Sequence, residues 1–201
     1  MNHTYSWSPV LALLVASLCI GTWGRLSAVQ AAAPPLEYRV LATSKTSTME
    51  KELNEAAEAG FRFRAVMGGE TAFGGSEVVV VMVRTADEKR RYAYKLLATA
   101  KTSTMQKELQ EAADAGFEYV GQTVFETAFG GDEVVVILER DKDTDARRFD
   151  YRLVATSKTA TLQKELLEAG AAGYDLVGMT VSKTAWGGKE LVAITRRART
   201  Q

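Results

Sequence analysis

The fold of this 201-residue chain is decided by the stretch from Tyr38 to Arg84, which reads YRVLATSKTSTMEKELNEAAEAGFRFRAVMGGETAFGGSEVVVVMVR. The stretch returns 56 residues later, from Tyr94 to Arg140, with 29 of 47 positions identical and no gap. A third, more divergent copy runs from Tyr151 to Arg197 at an offset of 57. Self-similarity at a fixed period indicates a repeat architecture. We therefore predict three tandem copies of one small unit.

Each copy begins with a short strand and continues with an amphipathic helix. In the first copy the apolar residues recur with the helical period of 3.6 residues. These apolar residues are Met49, Leu53, Ala56, Ala57 and Gly60, and the residues expected to face solvent are Glu50, Lys51, Asn54, Glu55 and Glu58. Ser47 and Glu50 have the spacing of a capping box, which predicts that their side chains bind free amides of the first turn. Gly60, Gly116 and Gly173 are expected to end the helices in a left-handed conformation.

After this glycine the sequence changes to the patterns of β-strands. Apolar and polar residues alternate from Phe61 to Arg64, and Val78 to Val83 is apolar throughout, which is typical of a central strand covered on both faces. A central third strand gives the sheet order 1-3-2 with antiparallel neighbours and a right-handed crossover. The predicted fold class is α+β, with three tandem βαββ repeats and one covering helix per sheet. Because one helix covers one face only, the other face is expected to meet another repeat or another molecule.

The predicted domain bounds are residues 1–33 for a signal peptide and 36–85, 92–141 and 149–198 for the three repeats. The apolar run from Val10 to Ile20 is too short to span a bilayer comfortably and is followed by small residues up to Ala33, as signal cleavage requires. We expect an exported protein of the periplasm or the extracellular space, with no integral membrane span after cleavage. The alternative is an uncleaved N-terminal anchor that tethers the repeats to the outer face of the membrane.

The composition excludes several kinds of function. The 25 basic and 25 acidic residues cancel, which argues against a nucleic-acid partner. The only cysteine, Cys19, and the only histidine, His3, lie in the predicted signal peptide, so the repeats have neither a thiol nor an imidazole for catalysis or metal binding. A D-x-D-x-D run starts at Asp141 like a calcium loop, but Ala146 replaces the glycine such a loop needs. We predict no cofactor, no metal and no catalytic residue.

The junction between the third helix and the strand after it reads ELLEAGAAGYDLV from Glu165 to Val177. This segment resembles the signature of domain of unknown function 4177, in which a helix ends in residues of the L-G-x-x-G-W-E-L-V type. Phe61, Phe117 or Tyr174 takes the place of the family's tryptophan. The resemblance covers all three units. It implies a βαββ fold and implies no activity.

Two polar segments recur in all three copies and supply the candidate ligand-binding residues. The first joins strand 1 to the helix and places a lysine and a threonine beside the free amides of a helix N-terminus, which suits an anionic ligand. The second is the hairpin between strands 2 and 3, where an aromatic residue beside paired glycines suits a sugar ring or a partner. The candidates are Lys45, Thr46, Phe73, Lys101, Thr102, Phe129, Lys158, Thr159 and Trp186. Helix capping and core packing are the purely structural alternatives, and topology places both segments at one end of the unit.

These observations predict an exported, non-enzymatic repeat protein that is a multivalent binding module for an anionic or glycan-like ligand or a protein partner. The alternative is a structural protein that self-associates through its sheet faces. A carboxylate-based hydrolase is the weakest interpretation, because Glu70 and Glu126 become Lys183 in the third copy and the paired carboxylates are not maintained.

Overall fold

A computed structural model of the chain describes residues 35–70, 75–87, 89–126, 132–183 and 188–199. The predicted signal peptide and the candidate aromatic residues Phe73, Phe129 and Trp186 lie outside the described residues. Pro34–Gln201 forms one compact unit.

The unit contains nine strands and three helices in the described residues, arranged as three successive βαββ repeats. Repeat 1 comprises β1 (Leu36–Thr43), α1 (Thr46–Glu58), β2 (Arg62–Glu70) and β3 (Ser76–Thr85). Repeat 2 comprises β4 (Tyr92–Thr99), α2 (Thr102–Asp114), β5 (Glu118–Glu126) and β6 (Asp132–Asp141). Repeat 3 comprises β7 (Phe149–Thr156), α3 (Thr159–Ala171), β8 (Asp175–Lys183) and β9 (Lys189–Ala198).

Each repeat forms its own three-stranded antiparallel sheet, with orders β1-β3-β2, β4-β6-β5 and β7-β9-β8. The predicted order 1-3-2 and the central position of the third strand are therefore confirmed. The second strand of each sheet carries a β-bulge, between Phe63 and Ala65 in the first repeat and at the equivalent positions in the others. A bulge bends the strand and frees a backbone group from the ladder.

The helices follow the predicted apolar periodicity. The prediction for their C-terminal ends is confirmed, and the prediction for their N-terminal ends is wrong. Gly60 has a φ of 83°, and its equivalents share this left-handed conformation, which glycine adopts without a Cβ clash. The capping box is wrong: α1 begins at Thr46 with Lys45 as N-cap, and the cap makes no side-chain hydrogen bond. Glu50 instead accepts a hydrogen bond from the backbone of Leu96 in the next repeat, at 2.8 Å.

The three repeats stack so that each of the first two helices is buried between two sheets. Met49 and Leu53 of α1 pack in one core with Val80 of their own sheet and with Tyr94 and Ile137 of the second sheet. Helix α2 lies in the same way between sheets 2 and 3. Helix α3 covers sheet 3 alone, and its core is correspondingly small. The stack therefore has two internal interfaces and two terminal surfaces.

Candidate functional site

The lysines of the predicted anion site occupy equivalent places at the helix starts. Lys45, Lys101 and Lys158 are the N-cap residues of their helices and are all exposed. The backbone N–H of Lys45 donates to Oγ1 of Thr43 at 3.1 Å, and the other two copies repeat this bond. The adjacent Thr46 is half-buried.

The strand register places this junction and the hairpin at one end of each sheet. Thr43 pairs with Val78, which lies two residues after the start of β3, so the end of β1 lies beside the base of the hairpin. Stacking then brings the loop of one repeat to the hairpin of the next, because Lys101 and Thr102 share a cleft with Ser182 and Glu190. The cleft has a volume of about 10 Å³, which is room for about one water. The carboxylate of Glu190 also disfavours an anion there.

A larger charged cleft of about 390 Å³ lies between repeats 1 and 2 and the segment that joins β6 to β7. Three of its carboxylates face arginines: Glu139 pairs with Arg62 at 2.8 Å, Glu118 with Arg147 at 2.8 Å and Asp141 with Arg90 at 3.7 Å. Each of these three carboxylates therefore has an arginine as its partner.

Asp141 and Asp143 of the calcium-like run pair with Arg90 and Arg91, which lie between β3 and β4. Asp143 accepts a hydrogen bond from the backbone N–H of Arg91 at 2.7 Å and pairs with its guanidinium at 2.6 Å. These hydrogen bonds hold the pKa of Asp143 below its ordinary value. Among the described residues there is no cluster of three or more groups able to hold a metal ion.

The densest polar constellation lies instead at the two internal interfaces, and its first part is an amide clamp. The side chain of Asn54 donates to the carbonyl of Tyr94 at 2.9 Å and accepts from its N–H at 3.0 Å. At the second interface Gln110 accepts from the N–H of Tyr151, the equivalent of Tyr94, and donates to the carbonyl of Phe149, two residues earlier on the same edge strand. Helices α1 and α2 thus each bind backbone groups on the edge strand of the next sheet. The prediction that Glu50 and Asn54 face solvent is wrong.

The second part is a buried tyrosine beside the bulge of β2 at the first interface and beside the bulge of β5 at the second. The hydroxyl of Tyr94 accepts from the backbone N–H of Phe63 at 2.8 Å and donates to the carboxylate of Glu139 at 2.7 Å. The hydroxyl of Tyr151 accepts from Tyr119 N–H at 2.8 Å in the second interface. Burial raises the pKa of Tyr94, and the charge of Glu139 adds to the rise. Burial also raises the pKa of Tyr151.

The third part is an ion pair at equivalent positions of both interfaces. Arg62 binds the nearly buried Glu139 in the first, and Glu118 lies 3.7 Å from Arg196 in the second. Residues 62 and 118 are equivalent, as are 139 and 196, so the two interfaces carry their charges in exchanged order.

Among the described residues, one sheet face is not covered by another repeat. The face of sheet 1 turned away from α1 presents Leu36, Tyr38, Val40 and Met67, which are 52–64% exposed, and we call it the open face. Its central residues Val79, Val81 and Val83 are half-buried. The equivalent tyrosines, Tyr94 and Tyr151, are only 3% and 4% exposed because a helix covers them.

Sequence reasoning missed the clamp residues and the interface ion pairs. It did predict a sheet face that meets another repeat or another molecule, without assigning that face to the first sheet. The available signal was the charge exchange between aligned copies. Comparison with family models, curated proteins and solved structures found no match. The resemblance to domain of unknown function 4177 therefore stays a prediction. No helix in the described ranges combines the length and the apolar character needed to cross a membrane.

Proposed function

We propose that this chain is a non-enzymatic assembly protein that self-associates through the open face of its first sheet. The observation that carries the proposal is the contrast between equivalent positions. Leu36 and Tyr38 are 52% and 62% exposed, whereas Tyr92 and Tyr94 at the same positions of repeat 2 are each 3% exposed. A contiguous exposed apolar patch on a folded protein marks an interaction site. Export through the predicted signal peptide belongs to the same proposal.

Burial of a single side chain cannot offset the free-energy cost of association, so most of the open face must be buried in the contact. Fully burying one such side chain contributes about 1.5–3 kcal/mol, whereas association of two proteins costs roughly 4–15 kcal/mol. Several of the exposed residues must therefore be buried together. We expect an association that strengthens with protein concentration.

The multivalent ligand-binding module stays a prediction with less support. Lys101 and Thr102 border a cleft too narrow for a sugar or a phosphate, and Glu190 lies in it. The aromatic half of each candidate site, including Trp186, lies outside the described residues.

The test is sedimentation of the full chain from about 1 μM to about 1 mM, a range that covers weak to moderate affinities. We expect the weight-average mass to rise with concentration, and Tyr38→Glu to abolish the rise. Ser103→Glu, which places the same charge on an exposed position of α2, is the control and should leave the rise unchanged. A chain that is monomeric throughout this range contradicts the proposal.

A further inference from the structure

The exposed large apolar residues of the described chain form two groups, one at each end of the stack. The first group is the open face. The second lies on the last repeat, where Leu167 of α3 and Leu176, Met179 and Val181 of β8 are 47–65% exposed. We call this second group the terminal layer. The two internal interfaces contribute no member to the set.

The internal interfaces show what each of these surfaces normally contacts. Phe63 and Val66 of β2 pack against Gly121 of the next sheet, and a Cβ built on Gly121 would lie 2.7 Å from Phe63. Tyr119 and Gln122 of β5 pack in the same way on Gly178. Leu176 and Met179 are the equivalents of these two pairs. In an isolated chain they have no following sheet.

We propose that the terminal layer of one copy docks on the open face of a second copy, in the same order of surfaces as at the internal interfaces. Ala65 of the open face takes the place of Gly121 and Gly178, and the smaller Leu176 takes the place of Phe63 and Tyr119, which leaves room for the added Cβ. This inference rests on the proposed self-association and names the second surface that takes part in it. Head-to-tail contact of this kind uses two different surfaces, so it continues into a filament or closes into a ring.

The repeat equivalence assigns contacts at this joint. Tyr38 is equivalent to Tyr94 and Tyr151, whose hydroxyls accept the backbone N–H groups of Phe63 and Tyr119. Its hydroxyl would therefore accept the N–H of Leu176 in the neighbouring copy. The open face would therefore contact the bulge of β8 through this hydrogen bond as well as through apolar side chains.

Helix α3 keeps one of the two amide side chains with which α2 binds the next sheet. Gln163 is equivalent to Gln106, which donates to Tyr151 O at 2.9 Å and accepts from Leu153 N–H at 2.7 Å. Leu167 replaces the clamp amide of Asn54 and Gln110. The joint between copies is therefore weaker than the joints within a copy, which fits a reversible association.

The ion-pair positions supply a further specificity element. Asp175 is equivalent to Arg62 and Glu118, and Val83 of the open face is equivalent to Glu139 and Arg196. The joint thus places the carboxylate of Asp175 beside the uncharged side chain of Val83. A positive charge at position 83 would attract Asp175, and a negative charge there would repel it.

The decisive experiment mixes two full-length variants, each blocked at one surface. Tyr38→Glu disables the open face, and Met179→Glu disables the terminal layer. Both positions are more than half exposed, and unchanged thermal unfolding of each variant checks that the fold is intact. Each variant alone is expected to remain monomeric, while their equimolar mixture forms a complex of twice the chain mass that does not grow further.

Other outcomes overturn the inference in distinguishable ways. If Met179→Glu alone still dimerises, or if the mixture stays monomeric while the unmodified chain assembles, self-association stands and the head-to-tail arrangement is wrong. If the unmodified chain does not assemble, both proposals fail together.

A second measurement tests the register of the joint. Val83→Arg should tighten association roughly fivefold through Asp175 of the next copy, the upper range for an exposed ion pair. Val83→Glu should weaken it, and adding Asp175→Lys should restore it. Equal effects of Val83→Arg and Val83→Glu would overturn the proposed register.

Discussion

The guanidinium of Arg62 binds the carboxylate of Glu139 through two nitrogen atoms, with Nη2 at 2.8 Å and Nε at 3.1 Å from Oε1. This pair joins β2 of the first repeat to β6 of the second. At the second interface Glu118 and Arg196 hold the same positions with exchanged charges. If repeat 1 stacked on sheet 3 instead, Arg62 would face Arg196. Like-charge contact disfavours that arrangement, so the ion pairs specify the order of the repeats.

The first prediction concerns this pair. Arg62→Glu should lower the free energy of unfolding by about 1–3 kcal/mol, because it leaves the nearly buried carboxylate of Glu139 without its charged partner. The Tyr94 hydroxyl still donates to Glu139, and Arg62 is half-exposed, so the loss is smaller than for a fully buried pair. Adding Glu139→Arg should recover much of the loss by producing the charge order of the second interface. Urea unfolding of the two single variants and the double variant measures the coupling. Additive losses would contradict a direct interaction.

The second prediction concerns the amide clamp. Asn54→Leu places at α1 the residue found at the equivalent position of α3, and it removes both hydrogen bonds to Tyr94. We expect a loss of about 1–3 kcal/mol, because the edge N–H and C=O of β4 lose their partners. Glu55→Leu, one position along on the exposed face of the helix, is the matched control. Equal unfolding free energies for the two variants would show that the clamp contributes nothing.

Much of the fold can be predicted from the repeat alone, because periodicity reports which face of an element is apolar. The same periodicity assigns Glu50 and Asn54 to solvent, since a helical pattern cannot reveal that a second sheet packs against the polar edge of the helix. The hydrophobic run of β3 likewise resembles that of β6. Val81 is half-buried whereas Ile137 is fully buried, because in the described part of the chain a preceding repeat packs over Ile137 and none packs over Val81. The candidate loops could be placed at one end of the sheet, since register follows from topology.

The third prediction concerns close packing at the second interface. A Cβ added at Gly178 would lie 2.2 Å from the hydroxyl oxygen of Tyr119 and 2.4 Å from Oε1 of Gln122. Gly178→Ala should therefore destabilise the chain by about 1–3 kcal/mol through overpacking. Gly170 of α3 has open space around its Cα, and Gly170→Ala should stabilise the chain by about 0.5–1 kcal/mol through helix propensity. Thermal unfolding of both variants tests the opposite signs.

The fourth prediction concerns Gln122 itself. Its side-chain nitrogen and oxygen are buried and have no hydrogen-bond partner among the described residues. The first interface has Val66 at the equivalent position, in an apolar environment. Gln122→Val should raise the free energy of unfolding by about 1 kcal/mol, because it removes an unsatisfied buried amide. Gln122→Ala is the control: it removes the amide but leaves a cavity, and it should gain less. A Gln122→Val variant less stable than the unmodified chain would show that the amide has a partner that matters.

The fifth prediction concerns alkaline pH. Burial raises the pKa of Tyr94 and Tyr151, and it raises the pKa of Tyr119 to about 12. A free tyrosine has a pKa of about 10. Because the folded-state pKa values are the higher ones, the stabilisation is fully present below pH 10. The stabilisation is lost as the pH rises above 10 and through the folded-state pKa values. In that range the unfolded chain has already released protons that the folded chain still binds, so rising pH favours unfolding.

Each such tyrosine should lower the free energy of unfolding by about 1.4 kcal/mol per pH unit in that window. Tyr94→Phe should make the fall of the unfolding free energy with pH less steep by the contribution of one tyrosine, about 1.4 kcal/mol per pH unit. It should also cost about 1 kcal/mol at pH 7, because the hydrogen bonds to Phe63 and Glu139 are lost. Urea unfolding between pH 7 and pH 11 gives both quantities. An unchanged slope in Tyr94→Phe would mean that the first interface opens before its tyrosine ionises, and the interfaces would then be the weakest part of the stack.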